Sequence, residues 1–191
     1  MDHSSSNKTL ADLKQEIQLK AKNGLDFIVA ASILWFAITV IWTLDQSSYN
    51  KSIFTFMIGG LMLPLAFAFS KLFATTWKIK GNPLQPLGMW LNVAQVFYFP
   101  FLIFILLKSP DYFIMTFAII TGAHFLPYAW FYDEKAYAAT AAVIPIGSLL
   151  ITLNFDDQQL WITPLFTGII LSILALIIYL RWNKFANSVS S

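Results

Sequence analysis

Six long apolar runs follow a polar N-terminal segment of 24 residues. Each run has 18 to 21 residues and contains no Asp, Glu, Lys or Arg: Phe27–Leu44, Ile53–Ser70, Gly88–Leu107, Tyr112–Tyr132, Ala136–Leu153 and Leu160–Leu180. As helices rising ~1.5 Å per residue they reach ~27–32 Å, the thickness of a bilayer's hydrocarbon core. Membrane-spanning strands would instead alternate in polarity over about ten residues. The pattern predicts an all-α, polytopic membrane protein with six transmembrane helices, spans one to six, bundled over residues 25–182.

The polar start has a periodicity of its own. Leu10, Leu13 and Ile17 recur at helical spacing, and Thr9 followed by Asp12 is typical of a capping box. These features predict an amphipathic interfacial helix within residues 1–24. Two placements remain open: the membrane surface, with lysines toward anionic headgroups, or the loops that join the spans. Residues 183–191 are expected to form a short polar tail.

The distribution of basic residues predicts the orientation. If the N-terminus is cytoplasmic, ten of the twelve Lys and Arg side chains fall on the cytoplasmic side, and only Lys51 and Lys108 fall on the other. Cytoplasmic loops carry such an excess of basic residues. We therefore expect a multi-pass protein of the cell's inner or plasma membrane, with both termini and both terminal tails in the cytoplasm.

Composition excludes several classes of protein. Hydrophobic residues make up 58% of the chain and charged residues 12%, about half the charged share that soluble domains carry. The absence of cysteine excludes disulfides and thiolate catalysis. A net charge of +2, without a basic cluster, gives no indication of nucleic-acid binding.

Prolines interrupt the apolar runs. Pro64, Pro100, Pro127 and Pro145 lie inside spans two to five, one in each. A proline gives no hydrogen bond to the carbonyl four residues earlier, and lipid cannot replace that bond. The prolines therefore predict kinks, with openings between helices rather than a tight cylinder.

Spans two and four share a motif. The pattern G-x-x-x-L-P-x-A-aromatic-x-aromatic begins at Gly59 and again at Gly122, an offset of 63 residues, which suggests either a duplicated hairpin or equivalent roles for the two helices. The segment Gly122-Ala123-His124-Phe125-Leu126-Pro127-Tyr128 resembles one in small uncharacterised multispanning bacterial membrane proteins. That resemblance covers one helix and the six-span layout, and it implies no activity.

Polar side chains of several spans are expected to converge. Thr121, His124 and Tyr128 share one face of span four, and Asn92 and Gln95 lie at similar depth on span three. Depth matching predicts that His124 pairs with Gln95, and Tyr128 with Asn92. Thr140, near the start of span five, and Lys71, just after span two, are expected at the same end of the bundle. The predicted ligand-binding residues are therefore Asn92, Gln95, Thr121, His124, Tyr128, Thr140 and Lys71.

These residues favour a site that binds or passes a small neutral or amphipathic molecule through a cytoplasm-facing cavity. Two alternatives stay open: an accessory subunit whose polar stripe only joins helices, and an intramembrane enzyme using His124. Catalysis is disfavoured because the runs contain no carboxylate, and one histidine cannot build a zinc site. Asp133 and Glu134 are interpreted as a solvated turn balanced by Lys135.

No cofactor and no metal are expected. The expected partners are the lipid bilayer and a small-molecule or lipid ligand, with a homo-oligomer left open. Nucleic acid is not expected as a partner.

Overall fold

A computed structural model describes residues 8–190, apart from the side chains of residues 157, 189 and 190. Over this part of the chain the regular elements are all helices, and no strand occurs. The expected all-α class is therefore confirmed. Six helical stretches are long and apolar enough to cross a membrane.

The first helix, α1 (Leu10–Ala21), begins with the expected capping box. The Thr9 hydroxyl oxygen accepts a hydrogen bond from Asp12 N at 3.2 Å, and the Asp12 carboxylate accepts one from Thr9 N at 2.8 Å. After α1, three consecutive residues adopt left-handed conformations, with φ of 47° at Lys22, 52° at Asn23 and 72° at Gly24. This turn separates α1 from span one, so the two do not form one straight rod.

Within residues 8–190, nine further α-helices build the spans. They are α2 (Leu25–Thr43) in span one, α3 (Ser48–Gly59) and α4 (Met62–Leu72) in span two, α5 (Gln85–Val96) and α6 (Phe99–Lys108) in span three, α7 (Phe113–Ala123) and α8 (Leu126–Phe131) in span four, α9 (Lys135–Asn154) in span five, and α10 (Ile162–Ser190) in span six. Spans two, three and four therefore each consist of two helices. The last helix continues well beyond the apolar run that predicted it.

The three breaks each come shortly before a proline. They fall at Gly60–Leu61 before Pro64, at Phe97–Tyr98 before Pro100, and at His124–Phe125 before Pro127. At each break the backbone tightens into i→i−3 hydrogen bonds, such as Leu61 N to Ile58 O at 2.9 Å. The kinks predicted in these spans are confirmed as helix breaks, whereas α9 continues through Pro145. The breaks in spans two and four fall one position apart within their shared motif, since Gly60–Leu61 are its second and third residues and His124–Phe125 its third and fourth.

Packing differs strongly between spans. In the most apolar 18-residue window of each span, 61% of the window is buried in span one but only 11% in span three. The close contacts of the well-packed side use small residues: a Cβ on Gly122 of α7 would lie 2.6 Å from the Pro145 ring of α9. By contrast, α5 has no buried residue, and Phe97 is 79% exposed. Spans one, four and six form the core of the bundle, and spans two and three lie at its margin.

Candidate functional site

At the break in span four, the His124 side chain replaces a backbone hydrogen-bond donor that the helix has lost. Phe125 N bonds to Gly122 O at 3.0 Å instead of to Thr121 O, the normal helical partner. The His124 Nδ1 atom lies 2.6 Å from the Thr121 carbonyl oxygen, so Nδ1–H donates to it. In the neutral ring, Nε2 is then an acceptor, and it has no hydrogen-bond partner within residues 8–190. The break thus fixes the imidazole and leaves one nitrogen free to bind.

The carbonyl of Gly88 joins spans three and four. It accepts from Asn92 Nδ2 at 3.1 Å and from the Tyr128 hydroxyl at 3.4 Å. A Cβ on Gly88 would lie 3.0 Å from the Phe131 ring, so the absence of a side chain lets α5 approach α8 here. Asn92 and Tyr128, which depth matching paired, therefore share an acceptor instead of bonding to each other.

The expected pair of Gln95 and His124 does not form a hydrogen bond. The imidazole uses the freed Thr121 carbonyl on its own helix, which the sequence pattern alone did not reveal. Gln95 lies one turn beyond Asn92, partly exposed, and its carboxamide has no hydrogen bond in the described part of the chain. Two polar groups at the level of the breaks, Gln95 and His124 Nε2, are thus left without partners.

The other three expected site residues differ in whether they are hydrogen-bonded to His124 in the described part of the chain: Thr121 is, through its carbonyl oxygen, whereas Thr140 and Lys71 are not. Thr121 is buried, and its hydroxyl has no hydrogen-bond partner. Thr140 is buried on α9, and Lys71 is exposed on α4 with its ammonium 4.9 Å from the centroid of the Phe67 ring. Among the described residues, no hydrogen bond or ring contact joins Thr140 or Lys71 to the remaining five. The contacts connect Thr121, His124, Tyr128 and Asn92, whereas no hydrogen bond or ring contact in the described residues joins Gln95 to them.

A tyrosine cluster, formed by Tyr128, Tyr132 and Tyr137, lies between His124 and α1. The three ring centroids are 5.7 to 5.9 Å apart, and Tyr137 donates to the Asn23 carbonyl at 2.6 Å. This cluster closes the α1 end of the bundle below the imidazole.

The sequence analysis missed Asp26, in the first turn of α2. Its side chain is buried, and Oδ2 accepts from the Thr75 hydroxyl at 2.7 Å and from Trp77 Nε1 at 2.6 Å. The first apolar run was taken to begin one residue later, which left this carboxylate out. An acid at the second position of an apolar helix, two residues after Gly24, was the available signal. These two hydrogen bonds join the connection between spans two and three to span one.

The interpretation of Glu134 as a solvated residue was wrong. Its side chain is buried, forms an ion pair with Arg181, and accepts from Ala136 N at 2.9 Å. The long α10 carries the guanidinium to this turn, a contact between distant residues that spacing alone cannot show. Asp133 and Lys135 are exposed as expected.

The amphipathic helix packs on the connections at this end of the bundle. Gln18 Nε2 donates to Tyr132 O at 2.7 Å, Thr76 N donates to Lys20 O at 2.8 Å, and Asn82 Nδ2 donates to Leu13 O at 2.9 Å. Of the two placements left open, these contacts favour packing on the loops.

Six apolar helices, three of them broken, define a multi-pass α-helical membrane protein. The chain belongs to the DUF7010 family, a family of unknown function, whose model matches residues 10–181. Comparison with the curated proteins and comparison with the solved structures gave no match. The expectation of an uncharacterised family without an implied activity is confirmed. The function therefore has to be argued from the site.

Proposed function

We propose that this protein binds, and passes, a small neutral or amphipathic molecule at mid-membrane depth between spans two, three and four. The supporting observation is that these three consecutive spans all break near their middles. Broken helices inside a membrane leave carbonyls that lipid cannot satisfy, and they occur where backbone lines a cavity or a water-filled path. A bound molecule or water is the natural partner for such groups.

The polar groups at the breaks indicate the chemistry of the ligand. His124 Nε2 offers an acceptor, and the Gln95 carboxamide offers both a donor and an acceptor. The nearest aromatic side chain, Phe125, has its ring centroid 4.3 Å from that of His124. No carboxylate or ammonium lies among these groups, so a charged ligand would lack a counterion. A neutral, flat or amphipathic molecule fits them best.

We further propose that the α1 end faces the cytoplasm, because the basic residues gather there. Single cysteines at Ser47 and Gln158 should react with an impermeant reagent added outside intact cells, and one at Lys80 should not. Asn82 is unsuitable as the inside position, because its side chain is buried against α1 whichever side it faces. Labelling of Lys80→Cys from outside would reverse the proposed orientation.

Solvent access tests the proposed cavity directly, and the absence of native cysteine makes the experiment clean. Gln95→Cys should react with a small water-soluble thiosulfonate reagent. The matched control is Ser172→Cys, which lies in the middle of α10 against Ser32 and should remain protected. If the two positions react at the same slow rate, no aqueous path reaches the breaks and the cavity proposal fails.

Ligand retention separates this function from an accessory role. Small molecules extracted from the purified protein are compared by mass spectrometry between wild type, His124→Ala and the exposed control Thr43→Ala. We expect a retained molecule to be lost in His124→Ala alone, with little change in thermal stability. A loss of stability with an unchanged set of extracted molecules would instead support the accessory role, in which the polar groups only hold helices together.

A further inference from the structure

A shallow open groove runs along α1, with a volume of about 550 Å³. The turn after span four and the end of α10 form its other wall. Its lining residues are Leu10, Ala11, Lys14, Gln15, Gln18, Asp133 and Phe185. The lining thus combines one cationic, one anionic and several apolar or amide side chains.

The groove opens at the depth of lipid headgroups. The Lys14 ammonium lies 3.7 Å from the centroid of the Trp130 ring, at the end of span four. Tryptophans at the ends of membrane helices lie at the boundary between headgroups and acyl chains. Asp133 follows Trp130 by three residues, so it lies just beyond that boundary.

The ion pairs of this region leave Lys14 and Asp133 free. Glu16 binds both Lys8, at 3.0 Å, and Lys20, at 2.6 Å, while Glu134 binds Arg181. Within residues 8–190 neither Lys14 nor Asp133 takes part in an ion pair. The groove therefore presents one unpaired cation and one unpaired anion, beside an apolar side chain, Leu10, that is 51% exposed.

We propose that this groove binds a phospholipid whose headgroup carries a primary amine next to its phosphate, as phosphatidylethanolamine does. The phosphate meets the Lys14 ammonium, the amine donates to the Asp133 carboxylate, and the acyl chains begin at Leu10 and Phe185. A headgroup without an amine would leave the Asp133 carboxylate facing the phosphate. A choline headgroup has no N–H to donate to that carboxylate.

Native mass spectrometry of the full chain in detergent tests this assignment. The protein is titrated with phosphatidylethanolamine, phosphatidylglycerol and phosphatidylcholine that have identical acyl chains. We expect phosphatidylethanolamine to bind tightest. Lys14→Gln should weaken the ethanolamine and glycerol lipids alike, and Asp133→Asn should weaken only the ethanolamine lipid, each by about fivefold. Lys108→Gln and Asp111→Asn, at the opposite end of the bundle, are the matched controls and should bind as wild type does.

Three results would overturn the proposal. Equal binding of the three lipids would remove the headgroup preference, and wild-type binding by both groove variants would remove the site. Competition by free phosphoethanolamine at the same concentration as the lipid would show that a soluble metabolite, rather than a lipid, is the occupant. Circular dichroism confirms that both variants are folded. His124→Ala should keep the lipid preference, so this inference and the proposed mid-membrane site can fail separately.

Discussion

Spans one and six pack against each other along their length, whereas span three touches its neighbours at few points. The Ser32 and Ser172 hydroxyls meet at 2.6 Å between α2 and α10, and Ile178 of α10 is fully buried. On α5 no residue is buried. All three helices are apolar, so hydrophobicity does not distinguish them. The difference lies in how closely small residues bring helices together: an added Cβ would lie 2.6 Å from its neighbour at Gly122 and closer still at Gly147, but 3.7 Å at Gly59. Spans one, four, five and six are called the rigid side below, and the loosely packed spans two and three the loose side.

The first helix connects the two sides. Asn82, in the connection between spans two and three, bonds to α1 through Leu13 O and the Glu16 carboxylate. From the rigid side, Tyr132 O accepts from Gln18, and Trp182 Nε1 donates to Leu19 O at 3.4 Å. We therefore expect the motion of spans two and three to depend on whether α1 stays docked.

The largest expected effect concerns glycines on the two sides. Gly122→Ala should lower the free energy of unfolding by about 2–3 kcal/mol, because its Cβ would meet the Pro145 ring at 2.6 Å and the branched Ile144 side chain at 2.8 Å. Gly59→Ala should change it by no more than about 0.5 kcal/mol, because the nearest atom, on Phe117, would lie 3.7 Å away. Thermal unfolding in detergent measures both. Equal losses would contradict the division into rigid and loose sides.

The ion pair of Glu134 with Arg181 should give the next largest effect. Glu134→Ala removes both the ion pair and the cap on Ala136 N, and should cost about 1–2 kcal/mol. The ion pair contributes little of this loss, because the Arg181 side chain is 59% exposed and water screens its charge. Asp133→Ala, one residue away and exposed, is the control and should be nearly neutral. A double-mutant cycle with Arg181→Ala isolates the pair.

The rigid side could be predicted only in outline. The lengths of the apolar runs predicted six helices, and the prolines predicted the three breaks described above, because both features depend on local sequence. The contacts of Asp26 with Trp77 and of Glu134 with Arg181 join residues about 50 positions apart. Helical spacing relates residues three or four positions apart, so it cannot predict contacts over such a separation. His124 was found as the polar centre of span four, but its partner was not, because the Thr121 carbonyl becomes available only when the helix breaks.

Trp77→Phe tests the fastening of the connection between spans two and three. It removes one hydrogen bond to the buried Asp26 carboxylate and should cost about 1 kcal/mol, since the indole is partly exposed. Hydrogen exchange should increase in residues 73–84. Trp90→Phe, an exposed tryptophan on α5, is the matched control and should change neither quantity. Similar effects of the two variants would show that the Asp26 contact has no special role.

The smallest expected effect on stability is that of Asn82, the residue that bonds the connection between spans two and three to α1. Asn82→Ala should lower stability by about 0.5–1 kcal/mol, yet increase hydrogen exchange in α5 and not in α10. Equal changes in α5 and α10 would show that α1 does not hold the two sides differently.

The docking of α1 also bears on how the protein is made. The ribosome synthesises α1 before the spans, and its partners Tyr132 and Trp182 emerge more than 100 residues after it. The contacts of α1 with Thr76 and Asn82 can form earlier, but its full set of contacts can form only once span six has been made. Until then we expect α1 to be more open to proteases than it is in the finished molecule. A nascent chain arrested before span six lacks the Trp182 donor, so protease resistance of α1 would report that insertion is complete.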